Sequence, residues 1–375
     1  MNKLLALLFA VPVFLLACEN KPEGGGDTPE PGPTPVETPA FARGSDVSWL
    51  SEMEQNGKTF RKADGTQADL FDVLKDCGVN SIRLRVWVDP PGGWSGKEDM
   101  VKLAVRAAKA GMALMVDFHY SDFFADPSRQ TPPSAWSSDI NDVDKLCARV
   151  KAHTTDVLEA LKEAGVTPAW IQVGNETRNG MLWPAGQLWN TSGNLPNGRK
   201  NFARLYNAGY EAAKAVFPAA LVMPHLNNAY EDNDWWFREI KEAGGKFDAI
   251  ALSHYPQAET QYTSAQYNQK AIDGIQALYN TYKVPVFVSE VGVKPARADA
   301  AAVLKSFMDE VKKTSGCKGV FYWEPEVYGG WKPAVYSNAA EIKRLTGKEE
   351  TWGPYDQGAF KSDGSPHEIM NAFKP

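Results

Sequence analysis

The sequence predicts an α/β fold, a single (β/α)8 TIM barrel, and three observations carry that expectation. From about residue 42, eight short β-rich apolar runs alternate with longer amphipathic stretches, the strand and helix count of such a barrel. Four of the amphipathic stretches stop at a glycine, at Cys77-Gly78, Ala110-Gly111, Ala164-Gly165 and Ala243-Gly244, where a helix end favours a residue tolerant of the left-handed conformation. No Gly-rich phosphate loop follows the first run, as a doubly wound open sheet, the competing arrangement, usually carries.

Taken in order, the first strand is expected over 44–50 and the first helix over 69–77. Strand two, 81–88, alternates Ile82, Leu84 and Val86 with Arg83 and Arg85, and a helix over 98–110 follows. Strand three, 113–120, opens on the apolar run Ala113 to Val116, and a long helix over 142–164 comes next. Strands four to six are expected over 169–176, 221–228 and 247–255, separated by helices over 202–217 and 234–243. Strand seven, 284–291, and strand eight, 319–323, complete the set, with helices over 265–282 and 297–314 before them. No internal repeat or second linker interrupts residues 41–375, which are expected to form one catalytic domain.

The N-terminus reads as processing signal rather than structure. Lys3 precedes an apolar run over 4–16, too short to remain as a membrane span, and Leu15-Leu16-Ala17-Cys18 reads as a lipobox. Residues 1–18 are thus expected to be a lipoprotein signal peptide, with Cys18 becoming a lipid anchor to a membrane; an ordinary secretory signal is the alternative. Residues 19–40 hold Gly24-Gly25-Gly26 and six prolines with almost no large apolar side chain, the composition of a solvated tether. Together these place the domain in the cell envelope, at an outer membrane or the cell surface.

Composition narrows the function. A net charge of −6 without Lys/Arg runs argues against a nucleic-acid partner, and a monomer is expected. Five histidines without an H-x-H or H-E-x-x-H spacing argue against a catalytic zinc, and no cofactor or metal is expected. Cys77, Cys147 and Cys317 fit no metal motif; they read as structural thiols, with a Cys77–Cys317 bridge the alternative.

In a barrel, chemistry gathers at the C-terminal ends of the strands. Two of those ends carry a glutamate directly after a run built to be buried, Glu176 after Trp170-Ile171-Gln172-Val173 and Glu290 after Val286-Phe287-Val288. Charge in such a place is costly unless the site uses it. Paired carboxylates on strands four and seven can meet across the barrel mouth, which is what cleavage of a glycosidic bond requires. Glu176 is assigned as acid/base and Glu290 as nucleophile, with Arg85 expected to keep Glu290 ionised and Asn175 to bind a sugar hydroxyl. Trp323 would stack on a sugar ring, His119 would hold a hydroxyl and Tyr255 would hold the nucleophile. Trp87, Asp89 and Trp94 would line outer subsites or merely pack a loop. Asp46, Asp117, Tyr120, His254 and Glu324 complete the expected rim, the two aspartates as internal salt-bridge or hydrogen-bond residues.

Several stretches resemble glycoside hydrolase family 53, the endo-β-1,4-galactanases. They are Asp117-Phe118-His119-Tyr120-Ser121-Asp122, Trp170 to Glu176, Ser289-Glu290, Arg83-Leu84-Arg85-Val86-Trp87-Val88-Asp89-Pro90 and Tyr322-Trp323-Glu324-Pro325. The resemblance implies a retaining hydrolase of β-1,4-galactan or galacto-oligosaccharides, with Glu176 matching the acid/base and Glu290 the nucleophile. Arg85, His119, Asn175, Tyr255 and Trp323 match the family's glycone-site positions. Bacterial relatives carry a long acidic calcium-binding loop after strand seven. Here Val291 to Asp299 is short with one acid, so that site is not carried over. A related hydrolase of mannan, xylan or β-glucan, and a non-catalytic glycan-binding lipoprotein, stand as rivals.

Overall fold

The structure, a computed structural model, describes residues 33–256 and 261–375. The expected leader and most of the expected tether lie outside the described residues. Eight parallel strand positions form the barrel: β1 (Ala42–Asp46), β2 (Ser81–Val86), β3 (Ala113–Phe118), β4 (Trp170–Val173), β5, β6 (Ile250–His254), β7 (Val286–Val291) and β8 (Cys317–Trp323). β5 comes in two pieces, Leu221–Met223 pairing with β4 and His225–Leu226 pairing with β6, so this strand closes the ring. The break falls at Pro224, which has no N–H to give to a ladder.

Helices α1 (Leu50–Gln55) and α2 (Leu70–Asp76) follow β1, and α3 (Lys97–Lys109), α4 (Val143–Glu163) and α5 (Gly198–Val216) follow β2, β3 and β4. Then come α6 (Asp234–Glu242), α7 (Ser264–Tyr282), α8 (Ala300–Val311) and α9 (Ala339–Thr346). The helix stops are as the sequence predicts, with Gly78, Gly111, Gly165 and Gly244 all at positive φ. α9 was not expected. β1 ends four residues earlier than expected because the Asp46 carboxylate accepts from the Ser48 N–H at 3.2 Å and hydroxyl at 2.6 Å. That local bond turns the chain out of the strand and straight into α1.

The barrel interior is layered. At the bottom Trp170 packs on Phe287 and Phe321, at centroid distances of 5.4 and 5.9 Å, with Ala42, Met115 and Met223 filling the gaps. Gly44 faces this layer, where a Cβ would sit 2.0 Å from the Phe321 ring, so only glycine lets β1 pass that ring. Above the apolar floor the inward positions become polar: Asp46, Arg83, Asp117, Gln172, His225, Ser253 and Glu290, all buried. Strand register sets these neighbours, pairing Asp46 with Arg83, Asp117 with Gln172 and Ser253 with Glu290. Cys77, Cys147 and Cys317 are free thiols, so the Cys77–Cys317 bridge does not form.

Candidate active site

Strand period two dictates which side chains enter the barrel. On β2 that face carries both Arg83 and Arg85, and Arg83 lies deeper. Its guanidinium donates to Gln172 at 2.6 Å, Asp46 at 2.7 Å, Asp117 at 2.8 Å and Asn175 at 3.0 Å. It also pairs with the Glu290 carboxylate at 3.0 Å. Burial opposes this charge, but Asp117, Glu290 and Asp46 outweigh it and hold the Arg83 pKa above its ordinary value. The cation beside Glu290 is therefore Arg83, which corrects the expectation for Arg85.

Arg85 is committed elsewhere. It pairs with Glu324 at 2.7 Å, and its guanidinium lies over the rings of Trp49, Trp87 and Phe124 at 4.2, 4.8 and 4.8 Å. Burial raises the Glu324 pKa to about 7 even against that arginine.

Glu176 and Glu290 stand together at the barrel mouth. β4 stops at Val173 because Gly174, at φ 83°, and Glu176, at φ 46°, turn the chain over the rim. A left-handed glutamate costs about 1 kcal/mol or more and persists only where surrounding contacts hold it, as strained residues at functional sites do. Ser253 Oγ lies 2.6 Å from Glu176 Oε1 and 3.4 Å from Glu290 Oε2, so these two oxygens are at most 6.0 Å apart. Tyr255 donates its hydroxyl to Glu290 at 2.9 Å, as the sequence predicts. Burial first, then the Glu290 charge, raises the Glu176 pKa; burial raises Glu290 as well, and Arg83 opposes this only in part, with Asp117 adding to the rise and the Tyr255 hydroxyl countering it. The two carboxyls thus have different environments: Glu290 alone has a cation at 3.0 Å and a tyrosine hydroxyl at 2.9 Å, which favour its charge relative to that of Glu176.

Both glutamates open into a hollow of about 440 Å³ lined by His119, Phe124, Asp126, Asn175, Tyr255, Trp323, Trp352 and Gln357. Trp323 is half-buried there, in T-shaped contact with Tyr355 and Phe124 at centroid distances of 4.7 and 6.0 Å, and its exposed part lines the hollow. His119 lines the hollow, but both its nitrogens are engaged: Nε2 lies 2.9 Å from Asp117, and Nδ1 accepts from the Ala125 N–H at 3.0 Å. Burial opposes the Asp117 charge, yet Arg83 and His119 bring its carboxyl down to about 2. Asn175 is likewise engaged, accepting from Arg83 and donating to the Ala125 carbonyl at 2.8 Å. His119 is therefore wall and scaffold, with neither nitrogen left to hold a sugar hydroxyl, whereas the Asn175 amide keeps a second Nδ2 hydrogen at the wall of the hollow.

Trp87 does not enter this hollow. It is buried against Trp49, Phe123 and Phe124, and together with Trp94 it borders a separate hollow of about 240 Å³. Asp89 is exposed outside both hollows. Tyr120 and His254 point outward to the helices, where they bond Thr154 and Asn268 at 2.8 and 2.9 Å. Sequence reasoning missed Arg83, His225 and Ser253, and also Trp352 and Gln357 from the segment after β8. In the loop after β7 the one carboxylate, Asp299, pairs with Arg297 at 2.8 Å.

A closed eight-stranded barrel with two carboxylates meeting under a tryptophan at its C-terminal mouth defines a glycoside hydrolase. The family model "Glycosyl hydrolase family 53" matches residues 42–302, and the chain belongs to that family. It is 30% identical to the arabinogalactan endo-beta-1,4-galactanase of Thermothelomyces thermophilus, over 76% of this chain and 89% of the relative. To the enzyme of the same description from Cellvibrio japonicus it is 33% identical, over 76% and 80%. In structure it is similar to the Ignisphaera aggregans GH53 catalytic domain, with a TM-score of 0.74 and 26% identity across 91% of this chain and 98% of that one.

Proposed function

We propose that this glycoside hydrolase cleaves β-1,4-galactosidic linkages of pectic galactan by double displacement. Glu290 attacks the anomeric carbon while Glu176 protonates the departing oxygen; Glu176 then takes a proton from the water that releases the galactosyl-enzyme. The observation that carries the mechanism is the approach of the two carboxylates, with Glu176 Oε1 and Glu290 Oε2 at most 6.0 Å apart. Retaining enzymes hold this pair about 5–5.5 Å apart and inverting ones roughly 6.5–9.5 Å, leaving room for a water. The choice of galactan is supported by the relatives above, whose described substrate is arabinogalactan. A panel of galactan, mannan, xylan and β-glucan, assayed for reducing ends, tests it. Release from galactan is expected; release from mannan with none from galactan would overturn the substrate.

A further inference from the structure

A chain of buried hydrogen bonds behind Glu176 has a polarity that can be worked out from its far end. The Asn175 amide can stand only one way round, since its Oδ1 faces the Arg83 guanidinium at 3.0 Å and its Nδ2 faces the Ala125 carbonyl at 2.8 Å. A flip would set donor on donor and acceptor on acceptor. His225 Nδ1 lies 2.8 Å from that same Oδ1 and must therefore carry a proton. The Glu176 amide also faces Nδ1, at 3.4 Å. A bare Nδ1 would keep that long contact but would place two acceptors 2.8 Å apart, a worse exchange. His225 is fully buried, and burial followed by the Arg83 charge keeps it neutral, so its Nε2 is bare. The hydrogen-bond partner of Nε2 is Ser253 Oγ at 2.9 Å, which must donate its only proton there. Oγ then has only lone pairs to offer Glu176 Oε1, 2.6 Å away. That contact is favourable when the glutamate supplies the hydrogen.

We propose that Ser253 and His225 are positioning residues that hold the proton on Glu176 in the free enzyme, through the ordered chain Glu176 to Ser253 to His225 to Asn175 to Arg83. The inference rests on the reading of Glu176 as the acid/base. When Glu176 has passed its proton to the leaving oxygen, the Ser253 hydroxyl turns from His225 Nε2 to the new carboxylate, and it turns back when water reprotonates Glu176. One hydroxyl proton cannot serve both acceptors, so His225 competes for the bond that would stabilise ionised Glu176. The same chain begins at the arginine that pairs with the Glu290 carboxyl at 3.0 Å, so one guanidinium orders both carboxyls. The other charged and titratable groups facing Glu176 are Glu290 on β7, Asp126 after β3, Arg83 on β2, Arg178 after β4 and Tyr255 after β6. Those facing His225 are Arg83, Asp117 and His119.

The test is His225→Asn, whose side-chain amide keeps a donor for Asn175 but lacks the Nε2 acceptor. Ser253 is then free to donate to ionised Glu176, and the alkaline limb of kcat/KM moves to lower pH by about one unit, the equivalent of one hydrogen bond. In a Ser253→Ala background the same substitution moves the limb no further. An unmoved limb in the single variant, or an equal shift in both backgrounds, overturns the relay. Nitrogen-15 NMR of the histidine-labelled enzyme gives a reading independent of turnover: His225 protonated on Nδ1 is expected, and protonation on Nε2 overturns the chain. Glu176→Gln separates the two ideas. An alkaline limb that persists there sinks the acid assignment itself, whereas its loss, with no shift in His225→Asn, sinks only the relay.

Discussion

Glu290→Gln lowers kcat on β-1,4-galactan by about ten-thousand-fold or more, an expected loss of the size seen when an enzyme's nucleophile is removed. The amide has nearly the shape of the carboxylate: its carbonyl can stay on Arg83, now 3.0 Å from Glu290 Oε1, while its NH2 donates to the Tyr255 hydroxyl oxygen, now 2.9 Å from Oε2. The fold and KM are therefore expected to change little, which separates a chemical loss from a structural one. Adding azide to a Glu290→Ala enzyme with an activated aryl galactoside sharpens the assignment. Azide takes the place of the missing carboxylate, attacks from the same face and gives the α-galactosyl azide. In Glu176→Ala the covalent intermediate still forms, azide attacks it from the opposite face, and the product is the β-azide. The reverse pattern would exchange the roles of the two glutamates.

Arg83→Met produces the largest loss of stability, about 3–5 kcal/mol in chemical denaturation, because removing one member of a buried ionic cluster leaves its partners uncompensated. Asp46, Asp117 and Glu290 lose their common cation, and Gln172 and Asn175 lose a donor. Arg85→Met should cost less, since its one ionic partner, Glu324, already sits near a pKa of about 7 and can take up a proton. Arg83→Lys keeps the charge but cannot reproduce a five-way fork. It should fold and move the acid limb of the activity profile to higher pH, because a less stabilised Glu290 carboxylate ionises later. Arg85→Lys should leave that limb in place. A shift in Arg85→Lys and none in Arg83→Lys would return the supporting role to Arg85.

That pair of arginines shows how far the sequence could be read. Both lie on the inward face of β2 by simple alternation, so their presence in the barrel was legible, but their depth was not. Depth depends on the register between β1 and β2, which puts Arg83 beside Asp46. Ser253 and His254 show the complementary failure. Histidine is the residue type that draws attention, yet period two places Tyr255 and Ser253 on the inner face and sends His254 to the helices. Tyr255, once assigned inward, was a sufficient signal for Ser253 two residues before it. The eight strands were legible because each is an apolar run in a chain with repeated glycine stops. Their ends were not, since they are set by local bonds such as Asp46 to Ser48 and by left-handed turns at Gly174 and Glu176. Trp352 and Gln357 come from the segment after β8, where no strand or helix period points to the site.

Cleavage of galactan by two carboxylates through a covalent intermediate entails two inversions at the anomeric carbon. Proton NMR during the first turnovers on β-1,4-galactan tests it most directly, because the anomer is read before mutarotation erases it. Reducing ends are expected to appear first as the β-anomer, the α form following only as they equilibrate. Initial release of the α-anomer would mean a single displacement by water and would contradict the roles given to Glu176 and Glu290.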